Sequence, residues 1–121
     1  MNDVVNILAI ETSCDDTAAA VVQNNKVLSN IVSSQKIHEL YGGVVPEVAS
    51  REHDKLIVPV VRKALTSSGL SLNQIDAIAY TRGPGLMGSL LVGTSFAKSL
   101  SLFLNIPLLE INHMHAHILS I

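Results

Sequence analysis

Residues 5–34 read VNILAIETSCDDTAAAVVQNNKVLSNIVSS, and this stretch decides the fold. Residues 5–12 are a short apolar run ending at a polar turn, SCDD, which fits a buried strand. TAAAVVQ at 17–23 is a second strand. Asn24-Asn25 then offers a two-residue hairpin turn, because asparagine tolerates positive φ. Residues 26–34 alternate apolar and polar well enough for a third, partly exposed strand. Three consecutive strands joined by tight turns make an antiparallel opening.

Beyond residue 34 the period changes. HELYGGVVPE is a loop punctuated by Gly42, Gly43 and Pro46. A helix follows over 47–67, with Leu56, Ile57, Val60, Val61, Ala64 and Leu65 on one face. Arg51, Asp54, Lys55, Arg62 and Lys63 lie mostly off that stripe. Pro59 falls inside it and predicts a kink rather than two helices. Gly69 suits the residue just past the helix end. A fourth strand spans 75–81, Arg82-Gly83-Pro84-Gly85 turns the chain, and a long apolar helix covers 86–104. Residues 107–111 are a fifth strand, after which Asn112 can cap a helix starting at His113. The order βββαβαβα predicts an α/β fold with a five-stranded mixed sheet. The first three strands should be antiparallel, the later ones parallel to the first, and the crossovers right-handed. Without repeats or linkers, residues 1–121 read as one domain.

Composition narrows the classes. Eight Lys and Arg oppose ten Asp and Glu, a formal charge of −2, and no basic tract occurs. The segment therefore lacks by itself the electrostatic footprint of a nucleic-acid binder. The single cysteine, Cys14, permits no internal disulfide and fits a reducing compartment. The first residues lack a basic n-region, so no signal peptide is read. Residues 83–109 carry only Lys98 and are the one membrane candidate. The break at Asn105-Ile106-Pro107 and the frequent Ser and Thr favour a fully buried helix followed by a buried strand.

Three stretches could carry chemistry. In ETSCDDT (11–17), Thr12 and Ser13 offer hydroxyls and backbone N–H groups that can hold a phosphate. Asp15 and Asp16 could orient a metal, a water or a nucleophile. The same residues suit an ordinary hairpin turn. In RGPGLMGS (82–89), Gly83 and Gly85 allow close backbone approach at a helix N-terminus, where anions bind. No lysine follows as in a Walker loop, and a plain strand-to-helix turn fits equally. In NHMHAH (112–117), a strand would align all three histidines. A helix brings together His113 and His117, four residues apart, and turns His115 away. The preceding strand is already of typical length and the following residues are good helix formers, so the helix is favoured. Two imidazoles leave a transition metal under-ligated, so a third ligand, a carboxylate, is required. Surface or core histidines are the bland alternative. His38 and His53 read as loop and helix-surface residues, and the acids beside Cys14 disfavour its thiolate.

Together, ILAIETSCDDTAAAVV, YGGVVPEVASREH, AYTRGPGLMGSLLVGTSFAKSL and NHMHAHI resemble, in order and spacing, the N-terminal part of the TsaD family. These are the tRNA N6-adenosine threonylcarbamoyltransferases, once known as O-sialoglycoprotein endopeptidases. The wording GGVVPEVASREH is similar to the bacterial or organellar branch. The resemblance implies an actin-like, sugar-kinase-like ATPase fold of two lobes, of which this chain supplies the first. It implies transfer of threonylcarbamoyl from threonylcarbamoyl-AMP to N6 of the tRNA adenosine 3′ of the anticodon, with ATP or ADP as further ligands. It also implies a metal, iron or zinc, on His113, His117 and a distant aspartate, with His115 outside the ligand set. The family's acidic pair falls on Asp15 and Asp16, the second being Asp where many members have Glu.

The implied partners are tRNA, a TsaB-like paralogue and a TsaE-like ATPase, in the cytoplasm and away from membranes. A homodimer of the chain is a further expectation. Family members are much longer, so the second lobe and third metal ligand are expected after Ile121, and the chain is expected to fold without catalysing transfer alone. The alternative is a non-catalytic, TsaB-like dimerising module, against which the HxxxH pair argues. A protease is disfavoured because HxxxH lacks the glutamate of HExxH.

Overall fold

The computed structural model describes residues 3–12, 16–34, 46–82 and 87–112. Strands β1 (Asn6–Glu11), β2 (Asp16–Gln23) and β3 (Lys26–Ser34) are followed by helix α1 (Pro46–Ser68), strand β4 (Ala77–Arg82), helix α2 (Met87–Leu104) and strand β5 (Leu108–Asn112). They form one sheet in the order β3-β2-β1-β4-β5. β2 is antiparallel to both neighbours, whereas β4 runs parallel to β1 and β5 parallel to β4. This is the mixed sheet that the sequence pattern predicts. The helix expected from His113 lies outside the described residues.

Alternation along the strands decides which face is core. β1 buries Asn6, Leu8 and Ile10 and leaves Ile7, Ala9 and Glu11 partly open. β2 buries Thr17, Ala19 and Val21. The buried face packs Leu8, Ile10, Val21, Ile78 and Tyr80 against Ile57, Val60, Val61 and Ala64 of α1 and Ala97 of α2. Each fully buried Leu or Ile there stabilises by about 1.5–3 kcal/mol. The opposite face is lined by small residues. Ala9, Ala18 and Ala20 form a shallow concavity with Asn30, Thr81 and Ile111.

The connections show why the elements end where they do. Asn24 adopts φ 54° in the β2–β3 turn. Its N–H donates to the Val5 carbonyl (2.9 Å), and its Oδ1 accepts from the Val5 N–H (3.0 Å). α1 is continuous through Pro59, which is exposed. It stops at Gly69, φ 79°, whose N–H donates to the Thr66 carbonyl. The Ser68 hydroxyl bridges the next pair, donating to the Leu65 carbonyl and accepting from the Leu70 N–H. α2 stops at Asn105, φ 55°. There the Asn105 N–H donates to the Leu102 carbonyl and the Ile106 N–H to the Ser101 carbonyl. That is the Schellman pattern with asparagine in the usual glycine position.

Two expectations are corrected. The fourth strand begins at Ala77, not at residue 75, after a 3-10 turn at Leu72–Gln74. At Asp76 the side chain takes over part of the ladder, because Oδ2 accepts the Asn6 N–H (2.8 Å) while the Asp76 N–H donates to the Asn6 carbonyl (2.7 Å). The fully buried helix and strand expected over 83–109 are not fully buried. Leu91, Leu102 and Phe103 of α2 are 61%, 82% and 82% exposed, and Leu109 of the edge strand β5 is also exposed. α2 rests one face on β4 and α1, and no described element packs on the other. Among the described residues, no helix is long and apolar enough to cross a membrane.

The core assignment makes a direct prediction for chemical denaturation. Leu8→Ala, at a side chain with no exposed surface, should cost about 2–5 kcal/mol. Leu102→Ala should stay within about 0.5 kcal/mol in the isolated chain. Equal losses would refute the assigned core.

Candidate functional site at the carboxyl edge of the sheet

Strands β1, β4 and β5 are parallel, so their carboxyl ends lie along one edge. The register pairs Ile10 with Tyr80 and Arg82 with Asn112. Extending the β1–β4 register by two residues puts Thr12 level with Arg82. Extending β1–β2 by one step beyond Glu11 and Ala18 puts Thr12 level with Thr17. Thr17 in turn pairs with Ser33. One row across the sheet therefore carries Ser33, Thr17, Thr12, Arg82 and Asn112. Neighbouring strands are about 4.8 Å apart, so Thr12 and Asn112 stand about 10 Å from each other.

All three stretches singled out in the sequence leave or re-enter the sheet at this row. Residues 13–15 follow Thr12 and return at Asp16, which pairs with Ser34. Residues 83–86 follow Arg82 and lead into α2, and residues 113–117 follow Asn112. The fold thus brings to one edge the strand ends that flank these stretches, separated by up to a hundred residues. Ligand crevices of open α/β sheets form at such carboxyl edges. Ser13, Cys14, Asp15, His38, Gly83, Gly85, His113, His115 and His117 themselves lie outside the described residues. Among the described residues, no group of three His, Cys, Asp or Glu could hold a metal ion.

The described part of the edge is polar and buried. Thr12 is 2% exposed and Thr17 fully buried. The Thr12 Oγ1 accepts the Gly93 backbone N–H at 2.9 Å, so this side chain faces α2. Thr81, on the other face, donates its hydroxyl to the Ile10 carbonyl at 3.4 Å. Sequence reasoning missed Gly93, which it placed only as one residue of an apolar helix. The available signal was a glycine in a helix interior, where it costs about 1 kcal/mol relative to alanine and so calls for a packing reason. A Cβ at Gly93 would lie 2.5 Å from Thr12 Oγ1.

The sequence comparison is decisive. Residues 26–121 match the family model for TsaD, tRNA N6-adenosine threonylcarbamoyltransferase. The chain belongs to the TsaD family. A curated TsaD relative from Christiangramia forsetii is 70% identical over 116 residues, covering 96% of this chain and 34% of the relative. One from Porphyromonas gingivalis is 64% identical over 114 residues, covering 94% of this chain and 33% of the relative. The chain thus spans about a third of the length of these TsaD relatives. Among solved structures, YeaZ from Pseudomonas aeruginosa superposes with a TM-score of 0.70 at 26% identity, over 89% of this chain and 44% of that one. A protein described as similar to peptidase YEAZ, also from P. aeruginosa, gives 0.71 at 23% identity, a likeness of fold. The TsaD chain is an α/β protein of the actin-like class.

The close approach at Gly93 is testable by thermal unfolding. Gly93→Ala should destabilise by about 1–3 kcal/mol through forced displacement of Thr12. Adding Thr12→Ala removes the obstructing oxygen and should recover part of that loss. Additive losses in the double variant would contradict the contact.

Proposed function

We propose that this chain is the N-terminal part of an enzyme that transfers threonylcarbamoyl from threonylcarbamoyl-AMP to N6 of the tRNA adenosine 3′ of the anticodon. The family match supports this reading. The observation that supports it in the structure is the row of strand ends Thr12, Arg82 and Asn112 at one carboxyl edge, from which the chain runs on into the acidic, glycine and HxxxH stretches. In the transfer, the adenosine N6 attacks the carbamoyl carbonyl carbon. A C–N bond forms, the bond from that carbon to the phosphate oxygen breaks, AMP departs, and the amine gives up a proton.

Asp15 and Asp16 are the carboxylates chemically suited to orient the amine and accept that proton. Ser13 and the backbone N–H groups that follow Thr12 are suited to donate to the adenylate phosphate. His113 and His117 are chemically suited to a transition metal, with a third, carboxylate ligand from the longer protein. Iron and zinc both fit two imidazoles and a carboxylate. A metal bound there would supply Lewis-acid polarisation of substrate oxygens. Transfer needs the remainder of the protein, including a second lobe, so the 121-residue chain alone is expected to be inactive.

The setting proposed is the cytoplasm, with tRNA, a TsaB-like paralogue and a TsaE-like ATPase as partners. The exposed face of α2 supports the paralogue. Leu91, Ser95 and Phe96 line a groove of about 410 Å³ with Asp54 and Ile57 of α1. A partner with the same fold can present an equivalent pair of helices, and the serines at 95 and 99 permit close approach. For the isolated chain, the same face supports a second reading as a dimerising module, including a homodimer.

Two measurements on the full-length protein test these assignments. Asp15→Ala and Asp16→Ala should each lower turnover by about 10²–10⁴-fold if the acids take part in proton transfer, whereas near-normal rates would exclude that role. His113→Ala and His117→Ala should lose bound metal, determined by elemental analysis, while His115→Ala retains it. The opposite ranking would favour a strand through 113–117. For the partner surface, Leu102→Asp should abolish co-elution with the paralogue, and unchanged co-elution would place the interface elsewhere.

A further inference from the structure

The Thr12–Gly93 contact does more than fill space. α2 packs chiefly on β4 and α1 and touches β1 only lightly. The hydrogen bond from the Gly93 N–H to Thr12 Oγ1 ties the residue that follows β1 directly to the interior of α2. It does so at the last residue before the acidic turn, and the chain returns from that turn at Asp16, beside Thr17. A valine would occupy nearly the same volume as Thr12, so packing alone does not call for a hydroxyl. A hydroxyl adds a directional bond of fixed length, 2.9 Å. Gly93 completes the arrangement, because any Cβ there would stand within 2.5 Å of the oxygen and push the strand end away.

We propose that Thr12 is a positioning residue, whose hydroxyl, locked to the Gly93 amide, sets the place of Asp16 at the carboxyl edge. Thr12 then acts from inside the core and not by touching the substrate. The helix is the rigid reference, and the strand end is held against it. Misplacement of a reacting group by about 1 Å can cost about 10²-fold in rate, so a small slip of the strand end is enough to matter. This inference rests on the reading that Asp15 and Asp16 take part in the transfer.

The test uses the full-length protein with tRNA and threonylcarbamoyl-AMP, measuring kcat and KM separately. Thr12→Val should lower kcat by about 10- to 100-fold with little change in KM for either substrate. Thr12→Ser, which keeps the hydroxyl, should restore most of the rate. The double variant Gly93→Ala/Thr12→Ala should regain thermal stability relative to Gly93→Ala without regaining kcat, a split that a purely structural contact would not produce. If Asp15→Ala and Asp16→Ala are inactive but Thr12→Val keeps kcat within about twofold, the positioning role is overturned and the reading of the acids stands. Normal turnover of both acid variants overturns the reading of the acids and the positioning role together. Recovery of both stability and kcat in the double variant would also overturn the inference.

Discussion

Strand β1 is hydrogen-bonded on both sides, antiparallel to β2 and parallel to β4, and its register with β4 governs where the rest of the molecule lies. A slip by one residue would exchange the buried set Leu8 and Ile10 for Ile7, Ala9 and Glu11. The register is held at the amino edge by Asn6. Its N–H and carbonyl both bond Asp76, its Nδ2 donates to the Gln74 carbonyl at 2.9 Å, and its Oδ1 accepts from Gln23 Nε2 at 3.0 Å. A buried asparagine with its polar groups satisfied in this way adds specificity where an apolar residue would leave the ladder free to slide. With that register set, Thr12, Arg82 and Asn112 fall in one row.

Apolar surface is distributed unevenly around this frame. One face of the sheet carries both helices and the core, while the other is lined by alanines. α2 is apolar nearly all round, yet only one of its faces is covered by the described elements. Leu91, Leu102 and Phe103 stay in water. Apolar surface of this kind on a helix face marks an interaction surface.

Much of the fold was legible because period and punctuation agreed. The apolar run of β1, the Asn24-Asn25 turn, the α1 stripe and the Asn105 stop each had one local cause, and each appears where that cause puts it. Boundaries moved where side chains replaced backbone partners, as at Asp76, which no periodicity reveals. The burial of α2 was misjudged because hydropathy reports what a helix could bury and not what is there to bury it. The candidate site residues were picked out by type and spacing. That the strand ends flanking them share one edge follows from strand pairing, which single-strand patterns do not contain. The link between Thr12 and Gly93 spans 81 residues and left only the trace of a glycine in a helix.

The account stands on the convergence of the HxxxH stretch with the acidic turn at one edge. Paramagnetic relaxation in the full-length protein, with a paramagnetic divalent ion at the metal site proposed on His113 and His117, measures this directly. β1 has six residues, so the two edges of the sheet are about 20 Å apart. The account predicts strong enhancement at the amides of Thr12, Asp16 and Thr17 and little at Val5, Asn24 and Gly69. Equal enhancement at both sets, or stronger effects at the amino edge, would contradict it.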